Sequence, residues 1–342
     1  MSFTGLACSE PRLIALARER IVARDSALFW AGFEGCDPAA LGDILAIRTV
    51  EWFIAISMCL LASLKLRGLQ ARSFWIANAV HVRGVNLAAL TAIASRADVL
   101  NVFAVGRMFH PNIVHFLGAT GQFDGMWIDV EHTGFSTREI ESAVSAARSN
   151  GLESFARIPP TDYATVTRCF ESGAGGVMAA QITSEAQAEE FVQWAKFAPR
   201  GRRGLNPLGY DGEYGSIPLP DFAERANRDT FVAVQIETAQ AVAEVDEIAA
   251  IDGVDILFVG PSDLSQAVGA IGDFTGRASL EAIDRVAEAC RAHGKQWGAV
   301  TPSPDYADLL IEKGCTLISP TNDVKLVTTG LAAVKEAYSS LW

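Results

Sequence analysis

Four short segments of this 342-residue chain set ionisable or amide side chains directly behind apolar runs. They are Ile128-Asp129-Val130-Glu131-His132, the Arg157 that ends the run 153–157, Gln235-Ile236-Glu237, and Gly260-Pro261-Ser262-Asp263. If the runs are neighbouring strands, their backbones lie about 4.8 Å apart, and Glu237 and Asp263 can converge on one cation. Two carboxylates with the other positions open suit Mg²⁺ or Mn²⁺, hard ions that keep several waters and exchange them for a bidentate oxygen ligand. A 2-oxo acid is such a ligand. Taken singly, a strand-end acid is more commonly an ion-pair partner or a helix cap, and Asp263 could cap a helix that starts beside it. Occurring together on successive strands, the two favour a metal site.

His132 alone reads as a structural hydrogen-bonder, but directly after a strand, beside Asp129 and Glu131, it is placed to move a proton. Arg157 could pair with Asp129 or Glu171, and at a strand end it is equally suited to stabilise a developing enolate oxygen. The alternative to a metal is a Schiff-base lysine at a strand end. Lys196, Lys295, Lys313 and Lys335 are not so placed; Lys325, six residues past the last apolar run and just inside the next helix, is the exception.

The elements that must position these groups alternate in a regular way. Short β-type runs at 101–106, 126–130, 153–157, 175–179, 231–236, 255–259, 296–300 and 316–319 are separated by helical patterns at 137–148, 164–171, 185–197, 239–250, 279–293 and 306–313. Eight strands with right-handed crossovers predict a (β/α)₈ TIM barrel over residues 86–342, whose reactive groups stand at the C-terminal ends of the strands. A doubly wound sheet is the rival, but no G-x-G-x-x-G follows the first strand. The Gly- and Pro-rich stretch 201–220 is expected to be an active-site wall or an interface. The loops after the last two strands lack the glycines of a barrel phosphate site, so a non-phosphorylated substrate is expected.

Residues 1–85 differ in kind and read as a separate helical extension. Residues 1–83 hold 9 Lys+Arg against 7 Asp+Glu, a balance of +2, which leaves −14 for the remainder of a chain whose formal charge is −12. A helical cap, a basic membrane or partner surface, and upstream sequence without a fold of its own stand as equal readings. The acidic balance and the lack of clustered Lys and Arg exclude a nucleic-acid partner. The longest uncharged run in that region, 52–64, falls short of the roughly 20 residues needed to span a bilayer. No secretory signal opens the chain, and six dispersed cysteines without a C-x-x-C pair read as reduced thiols of a cytoplasmic protein.

The segments FDGMWIDVEH (123–132), FARIPP around Arg157, ESGAGGVM (171–178), VQIET (234–238) and VDILFVGPSDLS (254–265) resemble, in order and spacing, the HpcH/HpaI family of class II pyruvate aldolases. The likeness runs from about residue 86 to the C-terminus. It implies reversible retro-aldol cleavage of a 4-hydroxy-2-oxo acid to pyruvate and an aldehyde, with Mg²⁺ or Mn²⁺, or Co²⁺ in their place, bound by Glu237 and Asp263. It implies that Gln235 contacts substrate, that Arg157 holds the keto oxygen, and that amides near Ser262 and Asp263 receive the carboxylate. It further implies that His132, with a water and support from Asp129, moves the proton, and that Glu171 belongs with Glu131 in the polar network around Arg157. The partners implied are a small 2-oxo acid and further copies of the chain, a barrel that trades its last helix with a neighbour in a hexamer of paired subunits. Macrophomate synthase is similar, which implies that such a site can also decarboxylate oxaloacetate. Two departures stand out: Met178-Ala179-Ala180-Gln181 lacks the family's proline, and the loop 206–220, where the acceptor aldehyde would be selected, matches no particular member. The rival functions are a CoA-ester lyase of the malyl- or citramalyl-CoA type, which should show a basic groove, and a non-catalytic barrel used for ligand binding or scaffolding.

Overall fold

A computed structural model describes residues 99–341, together with the backbone of 71–74 and 79–82. Those two short segments pair as a two-stranded sheet. The other residues of the 1–85 extension, the uncharged run 52–64 and residues 86–98 lie outside the described residues.

Eight parallel strands close into a barrel: β1 (Leu100–Val105), β2 (Gly125–Asp129), β3 (Glu153–Ile158), β4 (Gly176–Ala179), β5 (Phe231–Ile236), β6 (Ile256–Val259), β7 (Gln296–Val300) and β8 (Leu317–Ser319), with β8 hydrogen-bonded to β1. All eight expected strands are present, with ends shifted by at most one residue. The period-two alternation of side chains splits the apolar residues into two cores. Phe103, Met126, Ile128, Val177, Val234 and Leu257 face outward beneath the helices, in a continuous buried layer. Val102, Trp127, Phe155, Met178, Phe231 and Phe258 fill the barrel interior. Truncating any one of the large interior aromatics to Ala would cost about 3–5 kcal/mol.

The same alternation positions the chemistry. Asp129 follows Trp127 by two residues, Arg157 follows Phe155, Gln235 and Glu237 continue the phase of Phe231 and Ala233, and Gly260 follows Phe258. Each therefore points inward one layer above the packed interior, at the C-terminal mouth.

Helices close the connections: α1 (Pro111–Thr120), α2 (Thr137–Ser149), α3 (Tyr163–Glu171), α4 (Glu185–Ala195), α5 (Leu219–Asp229), α6 (Ala239–Ala243), α7 (Val245–Ala250), α8 (Pro261–Ala267), α9 (Arg277–His293), α10 (Pro304–Glu312) and α11 (Asp323–Ala337). Six of the starts are capped by short polar side chains: Ser136 and Glu139 form a reciprocal capping box on α2, and Asp162, Ser184, Thr238, Ser303 and Asn322 each accept a first-turn amide. The helix expected over 239–250 is two helices. Glu244 between them has a non-helical ψ of 22°, and its carboxylate accepts the amide of Glu185 instead. The last helix, α11, differs from the rest. After buried Asp323 every described residue of it is exposed, including Leu326, Val327, Leu331 and Val334.

Candidate active site

At the C-terminal ends of the strands lies a cavity of about 470 Å³, lined among others by Asp129, His132, Arg157, Gln235, Ser262 and Asp263. Six of the nine residues singled out from the sequence thus share one space, and Glu131 and Glu237 stand directly behind it.

Arg157 is the best-fixed of them. Its side chain is only 8% exposed; Nη2 lies 2.8 Å from Asp129 Oδ2, Nε donates to Asp129 Oδ1 at 3.2 Å, and Glu131 Oε2 lies 3.4 Å from Nε. The guanidinium stacks on Trp127 at 4.7 Å from the ring centre, and Trp127 Nε1 is itself tied to Ser319 Oγ at 2.9 Å. A two-point ion pair over an aromatic floor leaves the rest of the planar fork to face the cavity without rotameric freedom.

The loop after β2 is held from the same carboxylate. Asp129 Oδ1 accepts the backbone amides of Glu131 (3.2 Å) and His132 (3.1 Å). Asp129 therefore supports His132 through its backbone, and the charged neighbour of the imidazole is Glu131, with Nε2 3.7 Å from Oε2. The His132 side chain is 57% exposed, free to meet both solvent and a ligand.

Glu237 is the unusual group. It is 1% exposed; Oε1 accepts the backbone amide of Gln181 at 2.9 Å and its side-chain amide at 3.1 Å, whereas Oε2 is buried with no hydrogen-bond partner. Burial pushes its carboxyl up to about 7, and nearby Glu131 and Asp263 push the same way, against the Gln181 amide and the Arg157 charge. Gln235 Oε1 is likewise buried without a partner. Gly260 makes the room, since a Cβ there would lie 2.1 Å from Glu237 Oε2 and 2.6 Å from Gln235 Nε2. Asp263 does not cap its helix: the N-cap of α8 is Gly260, and no side chain caps it.

Buried, unpartnered carboxylate and amide oxygens, with further acids close enough to repel the Glu237 charge, form a set of hard donors short of positive charge. That fits Mg²⁺ or Mn²⁺. Among the described residues no three His, Cys, Asp or Glu side chains gather as a cage, so such an ion would rest on Glu237 and Asp263 and take its other ligands from substrate or water.

Two expectations are corrected. Glu171 is not in the network around Arg157: it ends α3, and a helix returning from the barrel mouth ends at the base. There its Oε1 accepts Asn206 Nδ2 at 3.0 Å and its carbonyl accepts the amide of Tyr210. The stretch 201–220 does not line this cavity either, which leaves the interface reading of it. It follows α4, hence leaves from the base, and packs along α3, with Gly204 N donating to Tyr163 Oη and buried Arg203 lying over Phe170 and Phe197. Its last residues open α5.

Sequence reasoning missed Gln181 as a partner of Glu237. It stands just past β4 with a φ of 51°, a left-handed turn that aims its amide at the acid. It also missed Trp127, Thr301 and Asp323. Lys325 does line the cavity, but its Nζ donates to the carbonyls of Pro302 (2.9 Å) and Pro320 (3.4 Å). The described cysteines, Cys169, Cys290 and Cys315, are free and buried, and burial pushes each thiol up to about 12, so none serves as a nucleophile. No helix among the described residues is long and apolar enough to cross a membrane.

The chain is similar to known aldolases in sequence and in fold. The chain is 30% identical over 211 residues to the 2-dehydro-3,6-dideoxy-6-sulfogluconate aldolase of Pseudomonas putida, covering 62% of this chain and 82% of that one. It is 32% identical over 209 residues to a 4-hydroxy-4-methyl-2-oxoglutarate aldolase of Hapsidospora irregularis, covering 60% and 76%. Its fold matches the crystal structure of an HpcH/HpaI aldolase from Desulfitobacterium hafniense with a TM-score of 0.65 at 29% identity, over 70% of this chain and 93% of that one. Residues 109–329 match the profile of the HpcH/HpaI aldolase/citrate lyase group. With that match spanning more than half its length, the chain belongs to the HpcH/HpaI aldolase/citrate lyase family and is an enzyme of the carbon–carbon lyase class.

Proposed function

We propose that the chain is a divalent-metal-dependent aldolase that reversibly cleaves a 4-hydroxy-2-oxo acid to pyruvate and an aldehyde, with oxaloacetate decarboxylation as a side activity. The observation that carries this reading is the buried, unpartnered Glu237 Oε2, coupled to Asp263 and facing Arg157 across one mouth. Glu237 and Asp263 would hold Mg²⁺ or Mn²⁺, with Co²⁺ a workable substitute. When bound, such an ion supplies Lewis-acid polarisation of the substrate's C1 carboxylate and C2 oxo group.

The protein's own groups do the rest. Amides at Ser262 and Asp263 receive the C1 carboxylate, and the Gln235 side chain fixes its plane. Arg157, held by Asp129 and Glu131, donates to the C2 oxygen, where negative charge grows as the bond breaks. His132, through a water, takes the C4 hydroxyl proton. The C3–C4 electron pair then moves into the C2–C3 bond, C4 leaves as an aldehyde, and return of a proton to C3 completes pyruvate. In decarboxylation the same electron flow releases CO₂ and no hydroxyl proton need be removed.

The exposed apolar residues of α11 support subunits that pair by exchanging this helix, in a homo-oligomer such as a hexamer. Among the described residues, the buried, unbridged thiols of Cys169, Cys290 and Cys315 support a cytoplasmic setting. The catalytic reading is tested by incubating Mn²⁺-loaded protein with a panel of 4-hydroxy-2-oxo acids and oxaloacetate. Pyruvate release from at least one 4-hydroxy-2-oxo acid is expected; its absence across the panel would sink the reading.

A further inference from the structure

The two carboxylate oxygens of Glu237 are in different states. Oε2 is buried without a partner, beside Gly260 at the end of β6, whereas Oε1 accepts two N–H groups from one residue, Gln181. A carboxylate oxygen has two lone-pair sites, so the Gln181 backbone amide at 2.9 Å and its side-chain amide at 3.1 Å fill both sites on Oε1. As a ligand, Glu237 is left with one oxygen.

Gln181 is set in advance for this task. Its φ of 51° lies in the left-handed region, which a residue with a side chain adopts only when its surroundings hold it there. On one side, Ala180 N donates to Ile158 O at 3.0 Å, a bond that a proline at this position could not make. On the other, Thr238 Oγ1, next to Glu237 in the chain, donates to Ile182 O at 2.7 Å, and Glu244 Oε2 accepts the amide of Glu185 at 2.7 Å. The connections that follow β4 and β5 are thus tied together on either side of the Gln181–Glu237 contact. Gln181 itself is exposed, so its side chain does not serve the core.

How many oxygens a carboxylate offers bears on which ion it prefers. Ca²⁺ takes roughly six to eight oxygens and accepts both oxygens of one carboxylate, whereas Mg²⁺ and Mn²⁺ favour an octahedron of about six single oxygens. We propose that Gln181 is a specificity-determining residue for the metal: by filling Oε1 it restricts Glu237 to a one-oxygen ligand and biases the site toward Mg²⁺ or Mn²⁺ and against Ca²⁺. This rests on the proposed metal site at Glu237 and Asp263, and adds which ion that site rejects and by what means. Gln181 acts through Glu237 and is a positioning residue. A water standing in for its side-chain amide gives way to an arriving ion; the amide, tethered to a fixed backbone, does not.

The test is the pair of dissociation constants for Mn²⁺ and Ca²⁺, by calorimetry on metal-free wild type, Q181M and Q181G, with infrared difference spectra of the carboxylates on adding each ion. Q181M keeps the length of the side chain, and Q181G keeps the backbone amide and relaxes the left-handed turn, so what the two share is loss of the side-chain donor. Because the ratio of the two constants is taken within one preparation, any misfolded fraction cancels. Wild type is expected to bind Mn²⁺ about a hundredfold more tightly than Ca²⁺, and each variant to cut that ratio on the order of tenfold. On adding Ca²⁺ to Q181M, the separation between antisymmetric and symmetric carboxylate stretches should narrow, the sign of a two-oxygen ligand, and the narrowing should be lost when E237Q is added to Q181M. A site that is merely loosened weakens both ions alike. A ratio within about twofold of wild type in either variant, or a wild type that binds Ca²⁺ as tightly as Mn²⁺, would therefore overturn the inference. Failure of wild type to bind Mn²⁺ overturns the metal site and the inference with it, whereas Mn²⁺ binding with a ratio indifferent to Gln181 overturns the inference alone.

Discussion

Replacing Gly260 by Ala adds one methyl group where the structure has no room for it. The backbone at Gly260 has φ −92° and ψ 94°, which any residue adopts, so the substitution is not strained by conformation. The obstacle is space: the new Cβ would meet Glu237 Oε2 at 2.1 Å, Gln235 Nε2 at 2.6 Å and Glu237 Cδ at 3.3 Å, where ordinary contact begins at 3.4 Å. The carboxylate oxygen must retreat by roughly 1 Å to restore normal contact. It cannot simply swing, because Oε1 is pinned by two hydrogen bonds from Gln181. Overpacking of this kind costs about 1–3 kcal/mol of stability. Moving a catalytic ligand by about 1 Å costs on the order of 10²-fold in rate. The assay is kcat/KM for cleavage with Mn²⁺, the Mn²⁺ dissociation constant by calorimetry, and the melting temperature. Gly134→Ala is the control, since a Cβ there meets nothing within 4 Å. If G260A bound Mn²⁺ and cleaved substrate within twofold of wild type, the geometry claimed for Glu237 would be wrong.

Three further outcomes rest on the same structure. The Glu237 carboxyl, raised from 4.5 to about 7, favours the protonated form in the fold, so its contribution to stability is complete below pH 4.5 and is lost as pH rises through 7. The loss is on the order of 3 kcal/mol in metal-free protein. Thermal melts should show metal-free E237Q more stable than wild type at pH 8, equal to it below pH 5, and unresponsive to Mn²⁺; parallel pH curves for the two would count against the assignment. His132→Asn is expected to lower kcat for retro-aldol cleavage by roughly 10²- to 10⁴-fold while sparing oxaloacetate decarboxylation, which has no hydroxyl proton to remove; equal losses in both would remove His132 from the proton path. Leu331→Glu, on the exposed face of α11, is expected to shift the mass seen by light scattering toward smaller assemblies, and an unchanged mass would exclude that helix from the interface.

Much of this molecule is legible in the sequence, for identifiable reasons. Each barrel strand is a short, largely apolar run, whereas four of the helices, α1, α5, α8 and α11, fall outside the expected set; α5 begins inside the Gly- and Pro-rich stretch 201–220. α1 (PNIVHFLGAT) has no polar face, α8 is too short, and α11 mixes apolar and small residues without a buried stripe because it has nothing described to pack on. The inward phase of Asp129, Arg157, Gln235 and Glu237 follows from that of Trp127, Phe155 and Ala233, which is why strand ends are the right place to search. Glu171 and the stretch 201–220 mislead when composition and family likeness are weighed above chain order. A residue that ends a helix, and a loop that follows one, belong to the base of such a barrel. Gln181 and Gly260 are not legible as parts of the site, since one acts through a left-handed backbone and the other through the absence of a side chain.

Cleavage should depend on an ion that Glu237 and Asp263 hold together. Chelator-stripped protein titrated with Mn²⁺, with calorimetric binding and pyruvate release followed on the same samples, tests this most directly. Binding and activity are expected to rise in step, and both to vanish in E237Q and in D263N. Full activity in stripped protein, or Mn²⁺ binding untouched by either substitution, would contradict it.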